Sequence, residues 1–129
     1  MLYALLDRSD AWHRKVRGWW ERSTEEILLP DVVLPEVTYL LQSRIGIRAE
    51  LAFVQAVAAG EFVLEPLQSD DVVRAAELMA IYSDAPLGFV DAAIAAIAER
   101  LGVVSVLTTD RRHFSLIRPT HVSAFLLLP

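Results

Sequence analysis

The sequence predicts an α/β fold built on a largely parallel, covered sheet. Short apolar runs, Ile27-Leu28-Leu29, Phe62-Val63-Leu64 and Val103–Leu107, alternate along the chain with longer segments of helical periodicity. Apart from Ser105 the runs are apolar rather than alternating, as strands covered on both faces are. No repeat, low-complexity stretch or Gly/Ser linker interrupts the 129 residues, so residues 1–129 read as one domain large enough to build its own core.

The elements follow in order. Met1–Asp7 begins inside a helix-like segment with no strand before it. Residues Asp10–Glu21 form a helix, with Ala11, Val16 and Trp19-Trp20 apolar and Arg14, Lys15 and Arg17 charged. After the Ile27–Leu29 strand, Asp31 is placed to cap a helix over Val32–Arg44. The next helix, Arg48–Ala59, stops at Gly60. Phe62–Leu64 is a strand. Ser69-Asp70-Asp71 supplies a cap and two carboxylates to the positive end of a helix running to Tyr82. Leu87–Leu101 is a helix stopped by Gly102, Val103–Leu107 a strand, and Ala124–Leu128 a last strand.

Composition narrows the function classes. The net charge is −5, from 12 basic and 17 acidic residues, which excludes bulk electrostatic binding of nucleic acid but not handling of it through a metal. Zero cysteines exclude disulfides and thiolate metal sites. No uncharged apolar run approaches the roughly 18 residues of a bilayer span, and the start has no basic segment or cleavage signal of a secretory leader. The expected location is the cytoplasm, with no membrane partner. A hydrophobic content of 54% exceeds what one small interior absorbs, which points to a homodimer or an apolar partner segment.

Three acids stand in apolar surroundings. Glu36 lies in Val32–Leu41, Asp91 in Leu87–Ala98, and Asp110 closes Val103–Asp110. At helical spacing the neighbours of Glu36 are Val32, Val33, Tyr39 and Leu40, and those of Asp91 are Leu87, Gly88, Ile94 and Ala95. An unpaired carboxylate in such a place costs several kcal/mol, so a shared cation is the expectation. Asp110 follows a strand at its carboxyl end, where open α/β sheets place their sites. Ligation by oxygen alone selects Mg²⁺ or Mn²⁺. Such an ion leaves room for a phosphate and an activated water, the requirements of phosphodiester hydrolysis. Each acid has a plainer reading too: Glu36 as an exposed residue, Asp91 as the partner of Arg100 or Arg74, and Asp110 as a turn or cap before Arg111-Arg112.

Three blocks carry a family resemblance: Leu34-Pro35-Glu36-Val37-Thr38-Tyr39-Leu40-Leu41, Asp84-Ala85-Pro86-Leu87-Gly88-Phe89-Val90-Asp91-Ala92-Ala93-Ile94, and Leu107-Thr108-Thr109-Asp110-Arg111-Arg112-His113-Phe114. With Arg118-Pro119 closing the pattern, the chain resembles a PIN domain of the VapC toxin type over nearly its whole length. The resemblance implies a three-layer αβα sandwich with a mainly parallel central sheet. It implies a metal-dependent endoribonuclease, the toxin of a type II toxin–antitoxin pair, with a small antitoxin that blocks the site. It assigns Glu36, Asp91 and Asp110 to the metal, and gives Thr108 a part in shaping the site. His113 stands where many relatives carry another acid. The front departs from the family: the first strand and the Asp that ends it are missing, and about eight residues are expected upstream. Asp7 and Asp10 read as solvated residues at a helix start rather than as substitutes.

Secondary features have two readings each. Arg111, Arg112 and His113 are either a basic patch that guides RNA phosphate or a charged turn. Trp19 and Trp20 read as core or interface rather than as stacking platforms for RNA. His13 reads as a satisfied surface histidine rather than a residue at the rim of the site. Asp84 either adds charge behind Asp91 or caps the following helix. A degenerate PIN domain that binds protein or RNA without cutting is the alternative function. A receiver-like fold is set aside, because it needs a Lys near the last strand and the only Lys is Lys15.

Overall fold

The computed structural model describes residues 1–129, which form seven α-helices and four short strands. They fall into two compact units, residues 1–66 with Pro129, and residues 67–128. No helix is long and apolar enough to cross a membrane.

The first unit contains α1 (Leu2–Leu6), α2 (His13–Arg22), β1 (Leu28–Pro30), α3 (Leu34–Arg44), α4 (Ile47–Ala58) and β2 (Val63–Glu65). β1 and β2 pair in parallel, with Leu29 opposite Leu64. A single 3₁₀ turn, Asp31–Val33, precedes α3, so Asp31 lies inside that turn and is not the expected cap. Pro35 sits in the first turn of α3, where a missing N–H costs nothing. Gly46 joins α3 to α4 at φ +133°, a backbone that other residues rarely adopt. Leu2, Leu29, Leu41, Phe53 and Phe62 make the core, with Trp20 packed against it. The Trp20 and Phe53 rings meet Phe62 at centroid distances of 5.6 and 6.0 Å. Trp20 is thus a core residue, as its size predicts. His13 is partly exposed and hydrogen-bonded, its Nδ1 2.9 Å from the Ala4 carbonyl, which ties α2 back to α1.

The second unit contains α5 (Ser69–Ile81), α6 (Phe89–Leu101), β3 (Ser105–Leu107), α7 (Arg111–Leu116) and β4 (Leu126–Leu128). β3 and β4 are parallel, with Val106 opposite Leu127. α6 buries Ala92, Ala93, Ala95, Ala96, Ile97 and Ala98, and such small side chains allow close helix approach. It ends at Gly102, whose φ of 68° is left-handed, the stop its sequence predicts. The cap of α5 is Gln68, not Ser69, and Asp71 accepts the Gln68 N–H at 2.9 Å. Gly88, not Asp84, occupies the N-cap of α6; Asp84 is exposed in the preceding turn.

The start of α5 is locked to the end of α6. Arg100 holds Asp71 through two bonds of 2.9 and 3.0 Å, and Asp71 is only 2% exposed. Arg74 grips Glu99 through bonds of 2.8 and 3.1 Å and adds Glu77 at 3.0 Å. Bidentate geometry and burial make these pairs stronger than surface bridges.

The four strands, three residues each, pair in parallel within their units, β1 with β2 and β3 with β4.

Candidate active site

Asp91 is the third residue of α6, in the first turn, where the free N–H groups of a helix favour a carboxylate. It is partly buried, and its partner is neither Arg100 nor Arg74 but His113, whose Nδ1 lies 2.9 Å from Oδ2. Both arginines are engaged between α5 and α6 instead.

Asp110 follows β3 and is the N-cap of α7; its Oδ1 accepts the Arg112 N–H at 3.2 Å. Thr108 shapes the turn that presents it. The Thr108 hydroxyl donates to the Asp110 carbonyl at 3.0 Å and accepts the Asp110 N–H at 3.1 Å. The Thr108 N–H bonds the Leu128 carbonyl at 2.8 Å, which anchors the turn to β4. The expected basic patch is largely committed elsewhere: Arg111 Nη2 bonds the Leu127 carbonyl at 3.3 Å and His113 bonds Asp91, while Arg112 is exposed.

Glu36 belongs to the first unit, in the first turn of α3, and it is exposed. The expectation that it sits on a buried apolar face is corrected, because its neighbour Tyr39 is itself 67% exposed. Asp110 is exposed as well, so burial cost argues for a cation at neither. Asp7 and Asp10 serve local turns. Asp7 takes the Tyr3 hydroxyl and the Ser9 N–H and hydroxyl, which hold its carboxyl below the usual range, and Asp10 takes the Trp12 N–H at 2.8 Å.

In neither unit do three His, Asp or Glu side chains gather into a cage for a metal. The donor chemistry nonetheless fits a hard cation, since the second unit offers oxygens not yet engaged. Asp91 retains Oδ1 beside its bonded Oδ2, and Asp110 retains Oδ2. A cleft of about 210 Å³ lies in the first unit among Trp20, Glu25, Glu26, Gly60 and Glu61. None of the three acids lines it.

A family model for the PIN domain matches residues 1–118. The chain belongs to the PIN-domain family. Ribonuclease VapC26 of Mycobacterium tuberculosis is 32% identical over 128 residues, which cover 99% of this chain and 95% of that protein. The solved structure of VapC20 from the same organism, described as a sarcin–ricin loop cleaving toxin, superposes with a TM-score of 0.79 at 24% identity, covering 85% of each chain. These likenesses make this a VapC-type PIN domain and establish its α/β PIN fold.

Two features of the site escaped the sequence reading. The Asp91–His113 pair joins residues 22 apart, a separation at which periodicity says nothing. The α7 helix had one signal, Asp110 in the position of an N-cap.

Proposed function

We propose that this PIN domain is a VapC-type endoribonuclease that hydrolyses RNA phosphodiester bonds with Mg²⁺ or Mn²⁺. The observation that carries the reading is the 32% identity with a VapC ribonuclease across 99% of the chain. Glu36, Asp91 and Asp110 are the metal carboxylates, supported by Thr108, Arg111 and Asp84. Residues 1–129 act as one domain, a reading supported by a family match that runs unbroken over residues 1–118.

Held by these carboxylates, a divalent cation would supply polarisation of the phosphoryl oxygen and a more acidic water. The protein's part is to hold and orient. Asp91 offers Oδ1, with Oδ2 fixed by His113. Asp110 offers Oδ2 from a turn that Thr108 ties at both ends of the residue. Arg112, exposed beside Asp110, is placed to attract phosphate. The partner is a small antitoxin, the state a homodimer, and the location the cytoplasm. Tyr39, Ile47, Leu51 and Val54, exposed on α3 and α4, support an apolar partner surface.

Cleavage of a mixed structured RNA pool tests the reading, with Mg²⁺ or Mn²⁺, an EDTA control and Asp91→Asn. The expected result is metal-dependent cutting that Asp91→Asn removes while circular dichroism stays unchanged. Folded protein that does not cut under any metal sinks the assignment and favours the binding-module reading.

A further inference from the structure

His113 presents a hydrogen bond that the catalytic reading does not require. Its Nδ1 is 2.9 Å from Asp91 Oδ2, and its side chain is only 16% exposed. An ionised carboxylate can only accept, so Nδ1 carries the proton and donates. The ring is held firmly in place. It is the third residue of α7, a helix started by Asp110 and anchored by Phe114, which is buried and meets the Phe125 ring at 6.3 Å. One short helix therefore begins at one proposed ligand and grips another.

We propose that His113 is the positioning residue for Asp91: by occupying Oδ2 it fixes the carboxylate and leaves Oδ1 for the cation. The inference rests on the reading of Asp91 as a metal ligand. A carboxylate on a helix surface otherwise rotates among several orientations, and a fixed one loses less entropy when an ion binds. Hydrogen-bond partners of metal ligands are worth roughly 10–100-fold in metal affinity.

The test is calorimetric titration of the full chain with Mn²⁺, without RNA, for the parent, Asp91→Asn, His113→Ala and His113→Asn. Asparagine places an N–H donor where the histidine Nδ1 stands, so it can restore the bond that alanine lacks. The expected result is that Asp91→Asn abolishes binding and His113→Ala weakens it about 10–100-fold. His113→Asn returns to within roughly threefold of the parent, because the donor is back. Parent-like binding by His113→Ala, or a folded His113→Asn that binds no better than His113→Ala, overturns the positioning role while a loss in Asp91→Asn keeps the ligand reading. Parent-like binding by Asp91→Asn, or none by the parent, overturns both. If His113→Ala does not fold, His113→Asn decides: near-parental affinity supports the role, and a folded protein with the affinity of Asp91→Asn overturns it.

Discussion

Thr108 makes two hydrogen bonds to a single residue, and through them it sets where Asp110 can point. Valine has the same branching without the hydroxyl, so Thr108→Val removes both bonds and leaves the Asp110 N–H without its acceptor. Loss of the pair costs about 1–3 kcal/mol, partly offset because the turn is half-exposed to water. The expected outcome is a modest fall in melting temperature and a larger fall in RNA cleavage, read in one thermal scan and one gel. A variant that cuts at the parental rate refutes the role of Thr108. At this scale the sequence was partly legible. It offered Asp110 as a cap, which it is, yet it placed Glu36 on a buried face, because apolar neighbours at helical spacing were taken to be covered and Tyr39 is not.

Elements were more legible than residues. Gly60 and Gly102 marked helix ends, and both take positive φ, because a helix stop needs a backbone that glycine adopts without strain. What stayed hidden is what two elements do to each other. Asp71 read as a dipole partner at a helix start, but its role is the bond to Arg100, 29 residues away. Asp71→Ala leaves a half-buried guanidinium without that partner and is expected to cost about 3–5 kcal/mol, measured by chemical denaturation. Acid should erode the same contact. Burial pushes the Asp71 carboxyl up, but the bonds from Arg100 and the Gln68 N–H, with the Arg100 charge, prevail and hold it below the ordinary value. Its folded pKa is thus depressed. The stabilisation is complete above the unfolded value, about 3.9, and is lost as pH falls through the folded one. Urea midpoints should fall below pH 4 in the parent, and less steeply in Asp71→Asn.

The whole molecule carries a net charge of −5, the sign of its substrate. Counterion release then contributes little, and on the proposed metal-dependent reading grip on RNA depends on the cation and a few local charges such as Arg112. Chelation by EDTA is expected to abolish cleavage and to weaken RNA retention on a filter. Retention unchanged by EDTA at physiological salt contradicts this. The sequence showed the α/β class because apolar runs and helical periods survive in any context. It did not show which strands pair, because strand pairing depends on partners distant in the chain.

The ends of helices ordinarily fray, opening and closing while the middle stays formed. The first turn of α5 and the last turn of α6 cannot do so independently, since Arg100 and Arg74 clamp each to the other. The hydrogen-bonded amides there, Asp71 and Val72 of α5 and those of the last turn of α6, should exchange with deuterium as slowly as those at the helix centres, so that the pair opens as one cooperative hairpin.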